Sequence, residues 1–307
     1  MRKALLAGST SPWLREQAMR RAFVRRSVSR FMPGEQVEDA LAAAATLAPT
    51  GITTILTRLG ENLTDIAEAE AVTEHYLRVL DLVAAAKIDA QISIKPTQLG
   101  LDQDPEVCAR NVLRLTDRAA EHRNFVWIDM EGSPYVAPTL ALYRRVRSRT
   151  PLIGVAVQAY LYRSPTDVDA LMPLNPTIRL VKGAYLEPAT VAFKRKSDVD
   201  EQFYRLACRI LAAAERGPET PFHIASHDSV LVDRLLAFAD GRGLGKDRYE
   251  IAMLYGIQPA RQQMLARSGT RVRVLISYGD FWFPWYMRRL AERPANVWFV
   301  AKNMFGS

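Results

Sequence analysis

The chain predicts an α/β protein built as a closed (βα)8 TIM-type barrel, with extra helices ahead of the first strand. Short β-branched or apolar runs alternate with longer stretches of helical spacing, and the alternation can be counted eight times. Strands joined by crossover helices pair in parallel, and eight of them are what a closed barrel needs. The main competitor is an open doubly wound sheet. No Gly-x-Gly-x-x-Gly turn follows an early strand, which argues against it. With 307 residues, 49% of them hydrophobic, there is material for one large core, and no shift in composition marks a second domain.

Residues 1–50 read as a helical segment packed on the barrel, with Ala40–Ala48 continuing a helical run to Pro49; residues 51–307 read as the barrel itself. The strands are expected at Ile52–Thr57, Ala90–Lys95, Phe125–Met130, Gly154–Ala159, Ile178–Gly183, Phe222–Ser226, Glu250–Tyr255 and Arg271–Ser277. Helical stretches between them include Leu63–Lys87, Asp104–His122, Ala137–Arg147, Asp198–Glu215 and Ser229–Ala239. Asp104-Pro105 and Ser164-Pro165 place a capping side chain before a proline whose missing N–H costs nothing in a first helical turn. Gly241-Arg-Gly-Leu-Gly245-Lys246 follows a helix and lacks phosphate-loop spacing, so it reads as a helix-terminating loop.

Composition limits the function classes. Cys108 and Cys208 lie far apart, which suggests neither a zinc site nor a disulfide framework and fits a reducing cytoplasm. No apolar run reaches the length of a spanning helix, and the first 13 residues hold no signal-peptide core. The 41 Lys and Arg against 33 Asp and Glu leave a charge of +8, which favours an anionic substrate, a phosphate-bearing cofactor, nucleic acid or an anionic lipid surface. Arg15–Phe31 is Arg-rich and acid-poor, as a transit peptide or membrane-surface helix would be; the plainer reading is an amphipathic helix covering the barrel.

In such barrels chemistry sits at the carboxyl ends of the strands. Polar residues stand at almost every end here: Lys95, Asp129 and Glu131, Gln158 and Tyr160, Lys182 and Tyr185, Ser226 and His227, Tyr255, then Ser277 and Tyr278. A short helix follows, with Arg288, Arg289 and Glu292. A lone lysine at a strand end is commonly a solvated cap, and paired arginines on a helix are commonly a solvated face. Their coincidence at one rim favours a site. A buried Lys95 beside Asp129 would stay charged through the pair, and the two guanidinium forks suit a carboxylate. His223 and His227 would lie roughly 13 Å apart along one strand, too far to share a metal ion. His227 suits a partner for a bound ring, and His223 a satisfied barrel residue.

Four segments carry a resemblance: Ile94-Lys95-Pro-Thr-Gln-Leu-Gly100, Arg179-Leu-Val-Lys-Gly183-Ala-Tyr185, Ala225-Ser-His227-Asp228 and Tyr286-Met-Arg288-Arg289-Leu-Ala-Glu292. With them the chain resembles monofunctional proline dehydrogenases of the short bacterial type over nearly its whole length. The resemblance implies a distorted barrel, FAD over the strand ends and a C-terminal helix that closes on substrate. It places Arg288 and Arg289 on the proline carboxylate, and Lys95, Asp129, Tyr185 and Leu254 in the substrate pocket. Leu275 stands where relatives carry a pocket tyrosine, Tyr278 is a candidate replacement, and Trp285 adds an apolar wall. FAD would be held by Gln158, Arg179, Val181, Gly183, Ala184, Lys196, Ser226, His227 and Glu292. Gly183 would let backbone approach a flat ring or phosphate closely. Ala252 stands where many relatives carry glutamine.

The reaction implied is oxidation of L-proline to Δ1-pyrroline-5-carboxylate, with a hydride equivalent passing from C5 to flavin N5 and electrons going on to a quinone. A pyrroline-5-carboxylate dehydrogenase is a further implied partner, and peripheral contact with an anionic inner membrane face would use the basic surface. Three alternatives stand beside this reading: a hydroxyproline-type dehydrogenase on the same scaffold, a Schiff-base aldolase using Lys95 or Lys182, and a nucleic-acid binder. The last is disfavoured because the basic residues are spread along the chain without a recognition motif.

Overall fold

The structure is a computed structural model, and it describes residues 28–60, 63, 65–214, 221–283 and 286–287. Most of the Arg15–Phe31 stretch, together with Trp285, Arg288, Arg289 and Glu292, lies outside the described residues.

Helix α1 (Val37–Leu47) precedes the barrel. Then β1 (Thr53–Arg58), α2 (Ile66–Ala86), β2 (Ala90–Ile94), α3 (Pro105–Glu121), β3 (Val126–Ile128), α4 (Val136–Arg147), β4 (Ile153–Gln158) and α5 (Ser164–Leu171) follow. The second half runs β5 (Thr177–Val181), α6 (Lys196–Ala214), β6 (Phe222–Ala225), α7 (Ser229–Gly241), β7 (Tyr249–Leu254), α8 (Pro259–Arg267) and β8 (Val272–Tyr278). Each strand pairs in parallel with the next and β8 returns to β1, so the barrel is closed. At that last junction Thr53 to Arg58 match Arg273 to Tyr278 without a break.

The helix starts follow from their sequences. Asp65, Asp104 and Asp228 each accept a backbone N–H of the first turn, from Ala67, Glu106 and Leu231. Ser164 departs from the capping role expected of it: it is already the first residue of α5, and its hydroxyl donates to the Gln158 carbonyl at 2.5 Å. Pro165 keeps its first-turn place.

Alternation along the strands divides the molecule into an outer layer and a lumen. The outer layer, between strands and helices, holds the large apolar core; the lumen holds a small separate cluster of Ile55, Phe125 and Trp127 with Leu152 and Leu275 against it. Polar groups fill the rest of the lumen. Trp127 donates from Nε1 to Gln91 and packs between the His223 ring, 4.2 Å away, and the Arg179 guanidinium, 5.1 Å away. Glu250 accepts from Arg273 Nε at 2.5 Å, has Arg271 at 2.9 Å, and lies 3.2 Å from His223 Nε2. A Cβ at Gly154 would sit 2.6 Å from the Trp127 ring, so the floor has room for the indole only because that position is glycine. His223 is therefore a filled-lumen residue.

The segment ahead of the barrel meets the residues that follow β8. Val28 and Met32 form one cluster with Leu59, Trp282, Phe283 and Tyr286, and Trp282 Nε1 donates to Glu35 at 3.0 Å. Gly256, at φ +72°, sits so close under the Arg30 carbonyl that a Cβ there would overlap it.

Two histidines make the fold acid-sensitive. Burial lowers His223 from 6.5 to about 4, and burial with the nearby Arg58 and Arg78 charges lowers His75 from 6.5 to about 4. Both are neutral in the folded chain and protonate readily once unfolded, so the stability they contribute is complete above pH 6.5 and is lost as pH falls toward 4. Melting temperature should drop steadily between pH 7 and 4, and His75→Gln should flatten part of that slope; parallel slopes for wild type and variant would contradict the assignment.

Candidate active site

Lys95 follows the last residue of β2 and Asp129 the last residue of β3, and both face the lumen at the carboxyl end of the barrel. Lys95 Nζ lies 3.2 Å from Asp129 Oδ2, with the two side chains 11% and 19% exposed, so solvent screens the pair little. The other carboxylate oxygen, Oδ1, accepts from Ser93 Oγ at 2.8 Å and from Arg179 Nη2. Arg179 Nη2 also bonds Ser93 Oγ at 2.9 Å. Burial alone would push the Asp129 carboxyl up, but the Lys95 and Arg179 charges outweigh it and hold the carboxyl below the usual range. Burial pulls Arg179 down despite the Asp129 charge.

Glu131 braces this group from the side. Its carboxylate accepts the Thr97 N–H at 3.1 Å and the Thr97 hydroxyl at 2.6 Å, while its carbonyl accepts Gln158 Nε2 at 2.9 Å. Gln158 in turn accepts the Ala184 N–H at 3.4 Å, which ties β4 to the loop after β5. In that loop Gly183 adopts φ +123°, and a Cβ there would overlap the Tyr160 ring. The flat ring that glycine admits within the described residues is thus the protein's own tyrosine. Val181 and Tyr185 are half-buried on either side of it.

Next round the barrel from β5, His227 Nε2 accepts the Leu254 N–H at 3.3 Å, which places the ring proton on Nδ1. Ser226 Oγ accepts the Asp228 N–H at 3.1 Å. Leu254 and Leu275 are half-buried, Leu275 in the lumen cluster, and Ala252 is buried with only a methyl group. Lys196 stands apart from the lumen, at the start of α6, on Asp200 and Asp228.

Tyr278 corrects the expectation. It is buried, and its hydroxyl pairs with His75 Nε2 on α2 at 2.8 Å, so it points into the outer layer and does not stand in for a pocket tyrosine beside Leu275. Lys182 also leaves the lumen, for Asp200 and Asp228. That removes it as a barrel-mouth amine, and Lys95, ion-paired with Asp129, offers no free lone pair for a Schiff base. Ser93 was not among the expected site residues. Its signal was a hydroxyl two places before Lys95, hence on the same strand face, between Ile92 and Ile94.

Arg179 Nη1 is buried and finds no acceptor among the described residues. An unmet donor of this kind costs about 1–3 kcal/mol, so the site favours an acceptor beside it, from a ligand or a water. The residues fit a flat heterocycle with carbonyl and ring-nitrogen acceptors.

A closed parallel barrel whose mouth holds a carboxylate between two cations, one of them a guanidinium with an unmet donor, is a TIM-barrel enzyme site. Residues 40–302 match the proline dehydrogenase family, and the chain belongs to that family. It is 36% identical to the proline dehydrogenase of Deinococcus radiodurans, across 99% of this chain and 97% of that one. It is 34% identical to proline dehydrogenase 2 of Bacillus subtilis strain 168, with 91% of each chain covered. In fold it is similar to proline utilization A of Bdellovibrio bacteriovorus inactivated by N-propargylglycine, at a TM-score of 0.80 and 20% identity over 87% of this chain. The chain spans about a third of the length of that larger protein, 32%.

Proposed function

We propose that the chain oxidises L-proline to Δ1-pyrroline-5-carboxylate with FAD bound over the strand ends. Family membership supports the reaction, and the Asp129 group with its unmet Arg179 donor is the observation that carries it to this site. Gln158, Arg179, Val181, Gly183, Ala184, Lys196, Ser226, His227 and Glu292 would hold the cofactor, which supplies a two-electron acceptor beside the substrate ring.

The protein contributes orientation. Arg288 and Arg289 fix the carboxylate in two-point fashion. Lys95 and Asp129 form a rigid polar floor, and Tyr185, Leu254, Leu275 and Trp285 supply walls that favour a small ring over water. Proline must lose its amine proton before C5 can be oxidised, because only a free nitrogen lone pair stabilises the charge that develops there. Asp129 is held ionised by two cations, which makes it a poor base; its work is to keep Lys95 in place, and the amine proton leaves to water. A quinone takes the electrons onward, and the charge of +8 would favour approach to anionic lipid.

Anaerobic mixing with L-proline, D-proline and hydroxyproline should bleach the flavin bands with L-proline far faster than with the others. Failure with L-proline overturns the substrate, and faster bleaching by hydroxyproline replaces it. Arg288→Met and Arg289→Met should each raise the KM for proline roughly 30- to 150-fold, about 2–3 kcal/mol, with FAD retained. Equal loss of proline and FAD binding would instead make the arginines structural.

A further inference from the structure

Four charged side chains meet on the outer side of the ends of β5 and β6. Lys182 Nζ lies 2.5 Å from Asp200 Oδ1 and 3.0 Å from Asp228 Oδ2. Lys196 bonds the same two carboxylates, Asp200 through Oδ2 and Asp228 at 3.1 Å. Two lysines and two aspartates thus close a neutral ring.

The members are not equivalent. Lys182 is 25% exposed and directly follows β5, whereas Lys196 is 74% exposed on the first turn of α6. An ion pair that exposed is weak and exchanges readily, so Lys196 is the member free to leave. Asp228 cannot be spared, because its other oxygen caps α7 through the Leu231 N–H. Burial would raise its carboxyl, but the lysines hold it at about 2, so it stays ionised. Asp200 has no such second duty among the contacts described; both its oxygens serve the ring.

Charge counting shows what Asp200 does. When Lys196 leaves, Lys182 faces two carboxylates, and the surplus negative charge opposes the departure. Without the Asp200 charge, Lys182 and Asp228 would match one to one and Lys196 would be released at no such cost. The ring is flanked in sequence by Val181 at the end of β5, with Gly183 and Ala184 in the loop after it, and by Ser226 and His227 just after β6. Resting on the cofactor placement proposed above, those residues bring the phosphates of a dinucleotide past Lys196.

We propose that Asp200 is a specificity-determining residue for the cofactor, holding Lys196 in the ring so that a bound pyrophosphate must compete for it. Asp200 thereby lowers the affinity for flavins that carry phosphate and leaves the affinity for the bare ring system unchanged.

Full-length wild type, Asp200→Asn, Asp200→Ser, Asp200→Glu and Lys196→Met, each stripped of flavin, are titrated with FAD, FMN and riboflavin, and the quenching of flavin fluorescence gives Kd. Both neutral Asp200 variants should bind FAD three- to tenfold more tightly with riboflavin unchanged, and Asp200→Glu should match wild type. Unchanged or weaker FAD binding in both neutral variants overturns the proposal, as does equal tightening of riboflavin. Lys196→Met separates the two layers: weaker FAD with intact riboflavin upholds the phosphate contact whatever Asp200 does. Unchanged FAD in that variant removes Lys196 from the cofactor and the proposal with it, while FAD binding as such stands.

Discussion

Asp129→Asn should abolish useful turnover and visibly destabilise the barrel. The carboxylate accepts from Ser93, Lys95 and Arg179 at once, and an amide can accept with one oxygen only. Two mostly buried cations would then face each other without a counter-charge. Removing one partner of a buried ion pair costs about 3–5 kcal/mol, which at roughly 2–4 °C per kcal/mol for a chain of this size lowers Tm by about 10 °C. A kinetic loss should accompany the thermal one, because Lys95 and Arg179 both turn away from the substrate floor; kcat/KM for proline should fall at least 100-fold, about 2.7 kcal/mol of lost transition-state stabilisation. Thermal melts and steady-state kinetics on the same preparation test both parts. A variant with wild-type Tm and wild-type kcat/KM would reduce the Asp129 cluster to an incidental arrangement.

Gly183→Ala should act through the cofactor. The position combines φ +123° with a ring against the site of the missing Cβ, and the Tyr160 ring is itself buried, so neither the backbone nor the neighbour yields cheaply. Backbone strain and overpacking together should cost about 2–5 kcal/mol. The displacement passes to Ala184, whose N–H holds Gln158, so the expected signature is loss of bound flavin in the purified protein rather than loss of solubility. Absorbance of flavin relative to protein reads this directly. Full flavin content with an unchanged melting temperature would mean that the loop has slack that the structure does not show.

Much of this arrangement was legible because a strand has a period of two. Lys95, Asp129 and Gln158 could each be placed at the mouth from the strand pattern, since each sits at or near the carboxyl end of an apolar run and at a position whose face the alternation decides, whereas Arg179 and Val181 were pointed out only by the resemblance. Tyr278 shows the same rule misapplied. It lies an odd number of residues from Leu275, so the two must face opposite sides, and an odd offset cannot replace a pocket side chain.

What stayed hidden depends on packing between distant segments. Nothing near Gly183 names Tyr160 as the ring it must admit. His223 and Glu250 meet only once β6 and β7 are in register. Asp200 is visible as the residue four places after Lys196, an ordinary helical ion pair, and becomes part of a ring only when α6 lies across the ends of β5 and β6. Ser164 looks like a cap because it precedes a proline, but the Gln158 carbonyl claims its hydroxyl.

The junction of β1 with β8 has a consequence for how the protein is made. Thr53 cannot find Arg273 until more than 200 intervening residues have left the ribosome, since the pairing spans that interval of chain. Through most of synthesis the nascent sheet therefore carries two raw edges, with the backbone groups of Thr53–Arg58 unclaimed on one side. Chains interrupted before Val272 would keep those edges permanently, and ribosome stalling or a premature stop in the last strand should yield aggregates rather than a shortened, partly active enzyme.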